Sequence, residues 1–360
     1  MTGTMTFAGL DVHARSTHAA ALDIGTGELR RARFGADSET VIAWLQALPQ
    51  PLQACYEAGP TGFALYRAAE AAGLRVEVVA PSKTPRASGD RIKSDRKDAE
   101  LLCRLLLAGQ LKSITVPSPS FEAARHLTRA REQVRSDLMR CRHRVSKLLL
   151  LHGRVYPRPT AWTKAHRGWL EQQRFDEPAT ELADLDTLAA VDGLVARKAA
   201  LDERLSRLAG EGEWSPTVAR LRCFRGLDTL TALVLALEIG DFARFQRPAK
   251  LASWLGLVPA LDQSGESLRQ GAITKTGSSY ARRLLVEAAW HYRPRPGAGQ
   301  ALAARRAGQP AHVLQIAQRA QARLHRLHQR LRARGKPANV ATVAVARELA
   351  CFLWAAAVAP

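Results

Sequence analysis

Apolar positions in the first 80 residues fall in short runs separated by turn signals. Phe7-Ala8-Gly9-Leu10-Asp11-Val12 is one run and His18 to Ile24 a second. Gly25-Thr26-Gly27 is a turn, and Glu28 to Phe34 reads as a third strand. Such short spacings predict an antiparallel meander. A helical period runs from Ser38 to Leu48 and is closed by Pro49 and Pro51. Leu52 to Glu57 is a fourth strand ending in Gly59-Pro60, and Thr61 to Ala72 a helix ending at Gly73. Val76 to Ala80 is a fifth strand, stopped by Pro81, and Arg91 to Glu100 opens a helix whose apolar period continues from Leu101 to Leu107. The order β-β-β-α-β-α-β, then helix, is RNase H-like.

The pattern then becomes helical. Ser118-Pro119 is a helix start, with Ser as cap and Pro in the first position. Neither Gly nor Pro interrupts Glu122 to Leu151, and Leu127, Val134, Leu138, Val145 and Leu148 form a stripe of near-heptad spacing. A second helical arm is predicted from Asp192 to Leu208, giving an antiparallel pair; Thr160 to Asp192 carries no pattern that we can assign. Leu221 to Ala232 reads as helix, Gly226 turn, helix, a helix-hairpin-helix pattern in which Asp228 is equally an ordinary N-cap. Pro248 to Leu255 is a short helix with Trp254 in the core. Gly256 to Ser279 reads as a loop rich in Gly, Ser and Thr, and Tyr280 to Trp290 as a helix. The expected class is α/β plus all-α, divided into residues 1–115, a helical or coiled-coil arm at 116–212, and a helical domain at 213–360.

Charge changes this picture. The 360 residues hold 53 Lys+Arg and 33 Asp+Glu, a formal charge of +20. Residues 1–100 hold 12 of each sign, whereas residues 267–347 hold 16 Lys+Arg against the single acid Glu287. So basic a segment predicts a polyanionic partner, nucleic acid by default. Arg125 and Arg129 on the long helix, Arg269 and Lys275 in the loop, and Arg282 and Arg283 on the following helix are the candidate phosphate contacts. The last uncharged apolar run, Leu349 to Pro360, is shorter than a membrane span, and no basic stretch precedes an apolar block at the N-terminus. The five scattered cysteines include no CxxC pair, so a reduced, cytoplasmic setting is expected and no membrane partner.

Four acids carry the candidate chemistry. Asp11 ends the first strand and Glu57 the fourth, which are neighbours in an RNase H-like sheet. Asp95 and Asp98 are three residues apart and share a helix face. Carboxylates gathered at one end of a sheet call for a compensating cation, and hard oxygen ligands suit Mg²⁺ or Mn²⁺. Two such ions can clamp the attacking and leaving oxygens of a phosphodiester. Each acid taken alone could equally pair with a flanking Arg or cap a turn.

With these residues in view, the chain resembles the IS110 insertion-sequence transposases (with IS1111), the DEDD recombinases guided by a bridge RNA. The resemblance rests on Gly9-Leu10-Asp11-Val12-His13, Tyr56-Glu57-Ala58-Gly59-Pro60-Thr61-Gly62, Val79-Ala80-Pro81-Ser82-Lys83 and Lys93-Ser94-Asp95-Arg96-Lys97-Asp98-Ala99. C-terminal marks are Gly226-Leu227-Asp228, Gly256-Leu257-Val258-Pro259, Ser264-Gly265 and Gly271-Ala272-Ile273-Thr274-Lys275-Thr276-Gly277. It implies a RuvC-like nuclease domain with its DEDD set on Asp11, Glu57, Asp95 and Asp98, and a helical arm used in assembly. It also implies a C-terminal serine that attacks DNA, at Ser264; many relatives have Ser-Ser-Gly where this chain has Gln263-Ser264-Gly265. Double-stranded DNA, a guide RNA and a homo-oligomer, a dimer or a tetramer on DNA, are the implied partners, in a nucleoid-associated setting. A Piv-type DNA invertase, which shares these motifs, and a RuvC-like junction resolvase using water are the alternatives.

Overall fold

Two neighbouring strands covered on both faces organise the start of the chain. A computed structural model describes residues 5–85, 94–264 and 267–359, and contacts divide the chain into two units, Met1–Pro117 and Ser118–Pro360. In the first unit β1 (Thr6–Val12), β2 (Thr17–Asp23) and β3 (Leu29–Phe34) form the expected antiparallel meander. Helix α1 (Ser38–Gln46) leads to β4 (Leu52–Glu57), parallel to β1, and α2 (Ala64–Ala71) to β5 (Val76–Val79), parallel to β4. The sheet order is β3-β2-β1-β4-β5. Helix α3 (Asp95–Leu107) packs on β1 and β2, so the unit is a mixed α/β domain around one central sheet.

Ala8, Leu10, Ala54 and Tyr56 face α1 and α2, against Val41, Leu45, Leu65 and Ala69. Phe7, Cys55 and Val79 face the other way, against Ala99, Leu102, Cys103 and Leu106 of α3. Strands buried on both sides read as continuous apolar runs rather than as alternation. The edge strand β3 instead carries Arg30, Arg31 and Arg33, which discourages edge pairing. Arg31 also reaches Glu100 of α3 at 2.6 Å. Gly9 sets the approach of α3: a Cβ there would lie 2.3 Å from the Ala99 carbonyl oxygen and 2.4 Å from the Cys103 nitrogen. Both are helix backbone atoms, so no side-chain rotation could relieve the clash.

The second unit contains α4 (Pro119–Leu151), α5 (Lys164–Glu171), α6 (Pro178–Leu208), α7 (Ser215–Leu221), α8 (Thr229–Ile239) and α9 (Pro248–Trp254). It continues with the hairpin β6 (Pro259–Ser264) and β7 (Ser267–Ile273), then α10 (Ser279–Trp290), α11 (Gln300–Arg306), α12 (Ala311–Ala333) and α13 (Ala338–Val358). The start of α4 is capped as its sequence suggests, the Ser118 hydroxyl accepting from the Phe121 N–H. Its inner stripe packs on α6: Leu138, Cys141, Val145 and Leu149 meet Leu188 and Val191, and Arg131 meets Asp202 at 2.7 Å. Early α4 thus faces late α6, and the near-heptad stripe is satisfied within the chain.

Several elements depart from the sequence expectation. Helix α6 begins at Pro178 rather than Asp192; Asp184 is buried while Leu182 and Leu185 are exposed, which breaks the apolar stripe ahead of Leu188 and Val191. The segment 256–279 is not simply a loop, since β6 and β7 pair as an antiparallel hairpin. Residues Ala260 to Ser264 are all exposed, which removes the period-2 signal of a half-buried strand. Trp254 is only partly buried against the core. Helix α13 is long and apolar enough to cross a membrane, although residues 349–360 alone fell short. One face of it, including Ala341, Val345, Leu349 and Leu353, is buried in the core with α9, α10 and α12.

The Gly226 turn forms with φ of 83°. Asp228 caps α8 by accepting from the Thr231 N–H at 2.7 Å. An added Cβ at Gly226 would lie 2.5 Å from the Ala288 carbonyl oxygen, so this glycine seats α10 against the turn.

The Gly9 approach yields a direct prediction. Gly9→Ala must push α3 off the sheet and should cost about 1–3 kcal/mol, as overpacking does in well-packed cores. Urea denaturation should show the unfolding free energy falling by that amount and the midpoint falling with it; an unchanged midpoint would mean that α3 does not lie where described.

Candidate metal site and nucleic-acid interface

Strand register brings the first two acids together. Leu10 pairs with Tyr56 on the parallel strands β1 and β4, so Asp11 and Glu57 are the next residues along each. Both follow the parity of Gly9 and Cys55, whose face is the one covered by α3. On the other side of β1, Asp11 pairs with His18 of β2. Above this end of the sheet lies the first turn of α3, which carries Asp95 and Asp98 and is capped by Ser94, its hydroxyl accepting from the Lys97 N–H. Acids in a first turn are favoured by the helix dipole. The helix end thus tolerates both carboxylates while the Gly9 contact holds them over β1.

A histidine joins the acids. His13 Nε2 lies 3.0 Å from Asp11 Oδ2 and 3.7 Å from Asp95 Oδ1, and His18 Nε2 lies 3.7 Å from Asp95 Oδ2. One donor atom from each of Asp11, His13 and Asp95 fits within a 4.8 Å span. Burial raises the pKa of Asp11 above its ordinary value. Hydrogen bonding and charge from His13 pull it down, while the negative charges of Asp98 and Asp95 push it up. The arrangement is a half-buried group of oxygen donors, plus imidazole, in mutual repulsion, and such a set fits a divalent cation. His13 was visible in the sequence motif but not as part of the cluster; its signal was the Asp-x-His spacing, which puts both side chains on one face of an extended strand.

Ser264 belongs to the second unit. It is the exposed last residue of β6 and pairs with Ser267 of β7; Gly265 lies outside the described residues. Arg269 stands exposed across the hairpin from Asp262. Lys275 is exposed just past β7, with φ of 55°.

The four helical arginines expected at phosphate are engaged within the protein. Arg125 donates to the Leu237 carbonyl at 2.7 and 3.1 Å. Arg129 forms two hydrogen bonds with the buried Glu238, which also accepts from Ser278 at 2.8 Å. Arg282 donates to the carbonyls of Leu255 and Thr276, tying α10 to the segments at both ends of the hairpin. Arg283 pairs with Glu132 at 2.8 Å and Glu287 at 2.6 Å. These guanidiniums satisfy backbone carbonyls and carboxylates, roles that a linear sequence does not distinguish from phosphate contacts.

A different row of arginines faces outward. Arg319, Arg323, Arg326 and Arg330 are exposed on α12, opposite its buried Val313, Ala317, Ala320 and Leu324. Their spacing of four, three and four residues keeps them on one helical face over about 16 Å. Arg323 pairs with Glu348 at 2.7 Å; the other three make no ion pair among the described residues.

Comparison with known proteins agrees in both units. Residues 8–153 match a family model described as a transposase of the DEDD type of IS110, and residues 218–304 match the "Transposase IS116/IS110/IS902 family". The chain is 38% identical to the Sinorhizobium fredii protein y4qE, a transposase by name, over 98% of this chain and 88% of that protein. It is 32% identical to the transposase for insertion sequence element IS1533 of Leptospira borgpetersenii, over 92% of this chain and 97% of that one. A family 20 transposase of Pseudomonas aeruginosa is 30% identical over 79% of the chain. The carboxylate end of the sheet, the helical second unit and these full-length matches lead to one assignment: the chain belongs to the IS110/IS116/IS902 family of insertion-sequence transposases.

Proposed function

We propose that the protein cuts and rejoins DNA strands by metal-dependent phosphoryl transfer through a covalent phosphoserine, with a structured RNA as guide. The observation carrying this reading is the gathering of Asp11, Asp95 and Asp98 at the sheet end where Glu57 is next in register. On this reading the first unit is RNase H-like, of the RuvC type, and the four acids hold two Mg²⁺ or Mn²⁺ ions. Bound there, the ions supply polarisation of the scissile phosphate and offset of the developing charge. Ser264 Oγ, giving up its proton, would bond to phosphorus as the bond from phosphorus to the strand's sugar oxygen breaks; that oxygen takes up a proton and leaves as a hydroxyl, and a DNA hydroxyl later reverses the link by the same exchange. The exposure of Ser264 at a hairpin end supports this role, since an attacking oxygen must reach the phosphate. The resemblance to bridge-RNA-guided recombinases supports the guide, an arm function for residues 116–212, and assembly as a dimer or a tetramer on DNA.

The phosphate grip is assigned chiefly to the α12 face, with Arg269 and Lys275 beside the serine. Arg125, Arg129, Arg282 and Arg283 act first as ties within the second unit.

Three tests follow from this reading. With flanking RNA and element-end DNA supplied, Asp11→Asn should lower strand cleavage at least about a hundredfold. Ser264→Ala should abolish the covalent protein–DNA adduct seen on denaturing gels. Adduct-free cleavage by Ser264→Ala would point to water as nucleophile, and full activity without RNA would remove the guide.

Reversing Arg319, Arg326 and Arg330 to Glu should lower the salt slope of DNA binding by about 2–3 units of log K per log salt. Fluorescence anisotropy at several salt concentrations measures this; an unchanged slope would move the grip elsewhere.

Asp11 also links stability to pH. Burial and the nearby acids raise its folded pKa above the unfolded value, so its contribution to stability is present in acid and is lost as pH rises through the folded pKa. In metal-free protein, Asp11→Asn should therefore raise Tm at pH 7 relative to wild type. The difference should shrink as pH falls toward about 4, as followed by circular dichroism melts.

A further inference from the structure

We propose that His13 is a nitrogen ligand of the ion held by Asp11 and Asp95, making that site a mixed nitrogen–oxygen site that favours Mn²⁺ over Mg²⁺. The inference rests on the metal-dependent reading above and goes beyond it, because a DEDD set is made of carboxylates alone.

Three observations carry it. The first is distance: His13 Nε2 is 3.0 Å from Asp11 Oδ2 and 3.7 Å from Asp95 Oδ1. Ligand atoms about 2.1 Å from a common ion are about 3.0 Å apart when adjacent and about 4.2 Å apart when opposite. Both separations therefore fall within one coordination sphere. The second is placement. His13 follows Asp11 by two residues, so its side chain emerges on the same face of the chain as it leaves β1. Its backbone N–H donates to the Ser16 carbonyl at 2.9 Å, which pins the residue in the tight link to β2. The ring is thus presented by a sheet end rather than by a long free loop. The third is access. The His13 side chain is 50% exposed, so an ion can exchange through its side of the cluster.

The choice of ion follows from donor chemistry. Mg²⁺ binds oxygen and holds its waters tightly, whereas Mn²⁺ accepts imidazole alongside carboxylate. One nitrogen donor should therefore separate the two ions without excluding either. His18, the cross-strand partner of Asp11, is the competing nitrogen. Its Nε2 lies 3.7 Å from Asp95 Oδ2 but has no comparable approach to Asp11 among the described contacts. It is best placed to orient Asp95 from behind.

The test uses the full chain with Mn²⁺ alone as probe and needs no catalytic readout. Pulsed electron paramagnetic resonance of the bound Mn²⁺ should show nitrogen coupling in the wild type and in His18→Asn, but not in His13→Asn. By titration calorimetry, His13→Asn should weaken Mn²⁺ at least about tenfold, a loss that even an outer-sphere partner can cause. Mg²⁺ should change by less than about twofold. A melt of each variant checks folding. Coupling that survives in His13→Asn, or is lost only in His18→Asn, overturns the assignment. So does Mn²⁺ that binds in an Asp11-dependent way with no nitrogen coupling, which leaves the carboxylate reading intact. Binding indifferent to Asp11→Asn overturns both.

Discussion

The contact between Gly9 and the backbone of α3 is the constraint on which the candidate site depends. Sheet and helix meet with no side chain between them. Asp11 lies two residues beyond this point on the strand, and Asp98 stands next to Ala99, whose carbonyl forms the contact. Helix position and carboxylate position are therefore one variable. A helix spaced by even a methyl group would carry Asp95 and Asp98 away from Asp11, whose pKa is raised first by burial and then by their charges. On the far side of the sheet Leu10, Tyr56 and their neighbours pack against Leu45 and the rest of the α1 and α2 face. Each fully buried large side chain there contributes roughly 2 kcal/mol of transfer free energy, enough in sum to tolerate a cluster of like charges at one edge.

The arginines divide by the same logic of burial. Where a guanidinium sits beside helix-end carbonyls or a buried carboxylate, as Arg125 and Arg129 do, its hydrogen bonds tie elements of the second unit together. Where it stands on the outer face of a helix whose other face is packed, as on α12, it is hydrated and available. A charge of +20 is thus not one property but two populations, structural ties and surface cations.

The chain pattern made much of this legible. The five strands, the helix opening at Asp95 and the cap at Ser118 were readable because each has a local cause: an apolar run, a turn residue or a capping hydroxyl. The adjacency of the strand ends carrying Asp11 and Glu57 was readable because strand order implies which strands are neighbours. Three features were not. Strand β6 is exposed from Ala260 to Ser264 and leaves no half-buried period. The start of α6 buries Asp184 and exposes Leu182, inverting the usual pattern. His13 meets Asp11 through their two-residue spacing, but its approach to Asp95 is one that no spacing encodes.

By itself the sequence determined the first five strands, the meander and the uneven charge, since these follow from local propensity, periodicity and counting. The family too was visible there, in motifs that full-length relatives bear out. Only the tertiary structure decided which arginines are engaged and which face water, that the near-heptad stripe of α4 is closed by α6, and that an imidazole stands among the carboxylates. These are pairings between residues distant in the chain. They are set by which backbone can approach which, and the Gly9 contact shows how one missing Cβ settles such a choice.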